Sequence, residues 1–346
     1  MIRLLVADDS ALMRKLLGGI FAAEGDFEVA FARNGREAIE AHARFVPDVV
    51  TLDVTMPELD GLACLDAIMQ ARPCPVVMLS SLTAEGAEVS LDALARGAVD
   101  VIAKPAGAVS LDIDRLAPLI VRKVRAAAGA RPRRRPRPAA VASPARPPAP
   151  ASAAGEVAGL VLVGTSTGGP PALEALLGGL PADFPWPVVV AQHMPARFTA
   201  SLARRLDGLC ALTVAEVSHP MPLARGHVYL GQGDADVIVA RRPAGLVAAP
   251  APAHPDHPWH PSVDRLVASA LDLLPPSRLV GVLMTGMGRD GAAAMTELHR
   301  RGGRTLAEAE ETAVVWGMPG ELVRAGGAGR VAPLDAIAAE LAGLIR

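Results

Sequence analysis

Aromatic side chains make up only 3% of this 346-residue chain, so its cores must be built from Leu, Val, Ile and Ala. Cysteine is scarcer still. Cys64, Cys74 and Cys210 form no CxxC pair and leave an odd thiol, which argues against a disulfide framework or a zinc site and for small core residues in a reducing compartment. Net charge is also nearly absent, at −2, so the chain as a whole has no electrostatic pull toward nucleic acid or membrane. No segment reaches the roughly 18 apolar residues that a membrane span needs. The start, Met1-Ile2-Arg3-Leu4, lacks the apolar stretch of a signal peptide. The expectation is a cytoplasmic protein with no direct membrane insertion.

What is present is aliphatic and divided. Apolar residues are 51% of the chain and charged residues 20%, enough for two ordinary cores on the prior of about 150 residues per domain. Between Ala126 and Gly155 the composition breaks: six arginines, seven prolines and no acid. Without hydrophobic periodicity such a stretch cannot bury enough surface to offset its ordering entropy. Its prolines favour an extended spacer. The expected layout is therefore a domain over residues 1–125, a linker over 126–155 and a second domain over 156–346. Nucleic-acid or anionic-lipid binding by Arg131–Arg137 is the alternative, and the absence of interleaved aromatics argues against it.

Before the linker, short apolar runs predict strands over Ile2–Ala7, Phe27–Ala32, Val49–Leu52, Val76–Leu79 and Val99–Ala103. Between the first two, Leu12, Leu16 and Ile20 recur at a helical spacing. Asn34 is placed to cap the next helix, which runs toward Arg44. After the linker, Gly159–Val163, Pro187–Gln192 and Leu279–Thr285 read as buried strands. Alternating strands and helices imply right-handed βαβ crossovers, hence an α/β fold with two doubly wound parallel sheets.

Ligands of such sheets bind beyond the carboxyl ends of the strands. In the first domain those ends deliver Asp8 and Asp9, Asp53, Ser80, and Lys104 followed by Pro105. Three carboxylates on one rim repel unless a hard cation lies among them, and Mg²⁺ suits oxygen ligands that leave room for phosphate. This set fits phosphoryl transfer onto a carboxylate. A single Asp at a strand end is as readily a turn former; five groups on four strand ends are hard to ascribe to chance.

In the second domain Gly164-Thr165-Ser166-Thr167-Gly168-Gly169 follows a strand, and Pro170 and Pro171 suit a first helical turn. The G-x-S-x-G pattern matches a nucleophile elbow. By itself it fits a bound phosphate equally well. His193 and Asp290, just past two other strands, favour a Ser-His-Asp triad: Ser166 attacks, His193 moves the proton, and Asp290 fixes the imidazole. Met287, in a glycine-rich turn, is the choice for a backbone N–H donor to the oxyanion. His254, His257 and His260 are spaced like metal ligands, but a proline follows each and marks an irregular loop. Glu310 and Glu311 read as a solvated pair, and Leu334–Ile345 as a packing helix.

The motifs Ala7–Arg14, Leu52–Pro57, Asp60-Gly61 and Ala103–Pro105 resemble a response-regulator receiver, of flavodoxin-like fold. The resemblance implies Asp53 as phosphoacceptor, Asp8, Asp9 and the Thr55 carbonyl around Mg²⁺, and Ser80 and Lys104 as the switch pair. It also implies a sensor histidine kinase as phosphodonor. The stretches Gly164–Gly169, Gln192–Pro195, Pro261–Asp264, Leu283–Ala292 and Trp316–Pro319 resemble the protein-glutamate methylesterase of bacterial chemotaxis, the CheB family, on a Rossmann-like α/β domain. That resemblance implies Ser166, His193 and Asp290 as catalytic, and methyl-accepting chemoreceptors as substrates that release methanol. It further implies an esterase reaction without a cofactor, possible deamidation of receptor glutamines, and activity raised by phosphorylation. Two departures from the family stand out: Gly231-Gln232-Gly233-Asp234 and Glu308, both expected near substrate. A binding module is disfavoured by the intact Ser, His and Asp. A DNA-binding regulator is disfavoured by the absence of a compact helix-turn-helix, and no nucleic-acid partner is expected.

Overall fold

The computed structural model describes residues 1–81, 83–104, 109–130 and 157–345, with side chains left aside for 109–115. The chain divides into two compact units, Met1–Ala139 and Ala140–Arg346.

The first unit alternates β1 (Ile2–Ala7), α1 (Ala11–Glu24), β2 (Phe27–Ala32), α2 (Gly35–Phe45) and β3 (Val49–Asp53). It continues with α3 (Gly61–Ala71), β4 (Val76–Ser80), α4 (Ala84–Arg96), β5 (Asp100–Ala103) and α5 (Val109–Ala128). The strands form one parallel sheet in the order β2-β1-β3-β4-β5. Four of the helices begin where a short polar side chain accepts a backbone N–H: Ser10, Asn34, Asp60 and Thr83. The expected Asn34 cap is among them, its Oδ1 2.9 Å from the Glu37 amide.

The helix expected from the Leu12–Leu16–Ile20 spacing is α1, but the side chains it buries are Leu17 and Phe21, while Leu12 is 58% exposed. Both stripes repeat every four residues, and only the neighbouring elements select between them. α5 continues through Ala128, past the Ala126 boundary expected for the spacer; residues 131–155 of that expected spacer lie outside the described residues, as does Pro105.

The second unit contains β6 (Leu160–Thr165), α6 (Gly169–Gly178), β7 (Val188–Gln192), α7 (Ala196–Leu209), β8 (Thr213–Val217), β9 (Met221–Pro222) and β10 (His227–Gly231). Then come β11 (Asp236–Arg242), β12 (Gly245–Ala251), α8 (Val263–Leu271), β13 (Leu279–Leu283), α9 (Ala292–Arg300), β14 (Arg304–Glu308), α10 (Met318–Arg324), β15 (Arg330–Ala332) and α11 (Leu334–Leu344). Seven strands form a parallel sheet, β15-β14-β13-β6-β7-β10-β8, and β11-β12-β9 form a separate antiparallel one that the sequence reading did not anticipate. β6, β7 and β13 are buried at every residue, as near-continuous aliphatic strands covered on both faces should be. α11 packs through Ile337, Ala338 and Leu341 as expected, and Glu310 and Glu311 are exposed. β6 pairs with β13 on one side and β7 on the other. That order decides which loops meet.

Candidate active site

At the carboxyl edge of the first sheet, Asp53 is the last residue of β3, Ser80 the last of β4, and Asp8 follows β1 directly. Asp8 and Asp53 are buried, Asp9 is exposed, and one oxygen from each lies within 4.8 Å of the others. Lys104 Nζ sits 2.6 Å from Asp53 and 2.9 Å from Asp8. Burial opposes the lysine's charge, but the hydrogen bonds to Asp53 and Asp8 outweigh it and hold its pKa above the ordinary value. Burial also pushes the Asp53 carboxyl up, against the pull of Lys104.

Three carboxylates therefore face one ammonium, an imbalance of two charges that a divalent cation with oxygen ligands would neutralise. The donor set fits Mg²⁺. Among the described residues this is the one acidic cluster so arranged, and the three loop histidines make no comparable set. Thr55 lies exposed beside it, its amide donating to Asp53 Oδ1 at 3.3 Å. Ser80 is turned to the start of α4, its hydroxyl donating to the Gly86 carbonyl at 3.0 Å.

In the second unit, Ser166, His193 and Asp290 gather at one edge, all less than 9% exposed. Ser166 follows β6, and its amide donates to the Thr285 carbonyl past β13 at 3.0 Å. Gly168 adopts φ +77°, and a Cβ there would lie 2.7 Å from Val314, so the turn after Ser166 requires glycine. Gly286 approaches even closer to the nucleophile: a Cβ on it would stand 2.7 Å from Ser166 Cβ.

His193 Nε2 is 2.8 Å from Asp290 Oδ2. His193 Nδ1 is buried with no hydrogen-bond partner among the described residues, which leaves it as the nitrogen able to exchange a proton. The half-buried Trp259 lies parallel to the imidazole, with ring centroids 5.6 Å apart and planes 11° apart.

Asp290 also accepts from the Val263 amide at 2.7 Å, the Asp264 amide at 3.1 Å and the Ser262 hydroxyl at 3.1 Å. Burial alone would raise its pKa, but His193 and these N–H donors outweigh burial and hold the carboxyl below its ordinary value. Ser262, Val263, Asp264 and Gln192 fall in stretches singled out in the sequence, but no role for any of them was legible there. Gln192 is the clearest omission: its Nε2 donates to the Ser166 and His193 carbonyls at 3.0 Å each, and its Oε1 accepts from Thr165 at 2.5 Å. Its signal was a buried polar residue closing an otherwise apolar strand.

Met287 is half-buried in the turn beside Gly286, and among the described residues none accepts a hydrogen bond from its amide. Both departures have hydrogen-bond partners that the sequence does not indicate. Glu308 is wholly buried, accepting from the Thr285 amide at 2.8 Å and the Thr312 hydroxyl at 3.1 Å. It thereby braces Thr285, just past β13. Asp234 accepts from the Ala196 amide at 3.1 Å and so holds the start of α7, just after His193.

The sequence pattern described as CheB methylesterase matches residues 161–341, and that of the response regulator receiver domain matches residues 4–113. The chain belongs to the CheB methylesterase family. Over 354 aligned residues it is 59% identical to the protein-glutamate methylesterase/protein-glutamine glutaminase 2 of Rhodopseudomonas palustris, covering 98% of this chain and 97% of that protein. Identity to the corresponding protein 3 of Rhodospirillum rubrum is 54%, covering 99% and 95%. The crystal structure of the Thermotoga maritima CheB methylesterase catalytic domain matches with a TM-score of 0.52 and 35% identity, covering 54% of this chain and 98% of that domain. This CheB chain thus pairs an N-terminal receiver with a methylesterase fold.

Proposed function

We propose that this protein hydrolyses glutamate methyl esters, and deamidates glutamines, on chemoreceptors, under control of phosphorylation at Asp53. The observation that carries the reading is the Ser166–His193–Asp290 edge, with His193 Nε2 held on a carboxylate and Nδ1 left unpaired. Ser166 Oγ attacks the ester carbonyl carbon while His193 Nδ1 takes the hydroxyl proton. The Met287 amide is the proposed donor to the oxyanion. Collapse of the tetrahedral intermediate expels methanol, its oxygen receiving the proton from Nδ1. Water, deprotonated at the same nitrogen, then cleaves the acyl-enzyme and frees the glutamate carboxylate. A carboxamide passes through the same steps and releases ammonia. Asp290 holds one tautomer throughout and balances the imidazolium charge.

In the receiver, Asp53 is the proposed nucleophile toward a phosphohistidine of a sensor kinase, and Lys104 and Ser80 are the proposed switch pair. Asp8, Asp9, Asp53 and the Thr55 carbonyl are the residues that would hold Mg²⁺. The ion supplies charge neutralisation for the phosphoryl oxygens. A cytoplasmic setting follows from that chemistry and from the three buried thiols; among the described residues no helix is long and apolar enough to cross a membrane.

Ser166→Ala is expected to lower methanol release from methylated receptors by roughly 10⁴-fold or more, measured with the full chain. Turnover at the wild-type rate would refute the triad. Adding a small phosphodonor with Mg²⁺ should raise release by the wild-type protein but not by Asp53→Asn.

A further inference from the structure

Resting on the triad proposed above, we infer that His257 is a positioning residue for Asp290, acting through the Ser262 hydroxyl. The loop 252–262 connects β12 to α8 and is anchored at the buried Asp236. That carboxylate accepts from the Ser262 amide at 2.7 Å and the His254 amide at 3.3 Å, binds His260 Nδ1 at 2.9 Å and pairs with Arg265 at 2.6 Å. The same loop carries Trp259, which lies against His193, and it sets Ser262 beside Asp290.

Proton counting around Ser262 Oγ fixes the direction of the chain. A serine hydroxyl has one proton and two lone pairs. Asp290, held as a carboxylate, only accepts, so the Ser262 proton goes to Asp290 Oδ1 at 3.1 Å. The Arg265 amide donates to Oγ at 3.3 Å. The remaining neighbour, His257 Nδ1 at 3.2 Å, must then donate as well. A His257 ring protonated only on Nε2 would turn a lone pair toward the hydroxyl and compete for the proton that Asp290 receives. His257 thus holds Ser262, Ser262 holds Asp290, and Asp290 holds the imidazole of His193.

His257 is half-buried. The groups facing it are the His254 ring, 5.7 Å away edge-on, the neighbouring Asp256, the Asp264 carboxylate on α8, and Asp290 behind Ser262. The arrangement orients the base through Ser262 and Asp290.

Steady-state methanol release by the full chain tests the inference with His257→Ala, His257→Phe and His257→Gln. Losing the donor should lower kcat about fivefold in the first two, with KM unchanged, on the scale of one hydrogen bond. His257→Gln keeps an N–H donor and should recover most of the rate. Adding His257→Ala to Ser262→Ala should cost nothing further, because the histidine acts only through that hydroxyl. His257→Phe preserves a ring, so a wild-type rate in that variant beside a loss in His257→Ala would mean packing and would overturn the inference, as would a His257→Gln loss equal to that of His257→Ala. So would wild-type kcat in all three, or additive losses in the double variant. Failure here with Ser166→Ala inactive would leave the triad standing; an active Ser166→Ala would remove the triad itself.

Discussion

Asp53 and Asp290 both serve a parallel sheet's carboxyl edge, and both are nearly buried, at 4% and 7% exposure. Their carboxyl groups nevertheless move in opposite directions. Asp53 lies above its ordinary pKa and Asp290 below it. The difference is in the donors. Asp290 has His193, two helix-starting amides and a serine hydroxyl, whereas Asp53 has one amide at 3.3 Å and a lysine it shares with Asp8. A carboxylate whose lone pairs are occupied is a fixed charge suited to holding an imidazole. One left short of donors keeps an oxygen for a cation and a phosphorus atom. Burial is common to both sites; satisfaction of the oxygens separates them, in keeping with the proposed roles of structural anion and nucleophile.

The comparison can be broken by substitution. The largest effect is expected for Asp290→Asn, which preserves shape but presents an N–H to His193 Nε2 and imposes the wrong tautomer. Methanol release should fall by roughly 10³–10⁴-fold. The variant also sets an amide NH₂ against donors, so its Tm should fall by several degrees; an unchanged Tm would show that the donor shell does not stabilise the charge. Asp53→Asn is the counterpart. Incorporation of phosphate from a phosphodonor should vanish, while Tm stays level or rises, because the buried charge removed there was a cost.

A smaller effect follows from pH. Asp290 and Asp236 are both held below 3.8. Their stabilisation is complete above that value and lost as pH falls through their lowered native values. The sign is reversed for Asp53, whose raised carboxyl makes protonation favour the folded receiver. All three tryptophans, Trp186, Trp259 and Trp316, lie in the second unit, so tryptophan fluorescence reports on the esterase alone. Its melting temperature should decline below about pH 4, and Asp236→Asn should flatten that decline. A melting curve insensitive to acid in the wild type would contradict the donor argument for both aspartates.

Much of the architecture was legible before any coordinates. Aliphatic runs such as Val188–Ala191 can only be strands buried on both sides, and polar residues that end them fall on the ligand-binding edge of a parallel sheet. Hence Asp53, Ser166, His193 and Asp290 could each be assigned an edge position from local pattern. The core face of α1 could not, because two stripes with the same spacing compete and α1's neighbours choose Leu17 and Phe21. Nor could the roles of Glu308 and the Gly231–Asp234 segment, whose partners Thr285 and Ala196 lie far away in sequence.

The sequence by itself thus determined which chemical groups reach each sheet edge, since strand periodicity and turn chemistry act over a few residues. Only the tertiary structure decided that β6 lies between β13 and β7, that Nε2 of His193 meets Asp290, and that Ser262 and His257 stand behind it. Those outcomes depend on contacts between residues far apart in the chain, such as Leu160 with Leu279 and His193 with Asp290. Chain order carries no local signal for such contacts; they form when burial forces each polar atom to find a partner.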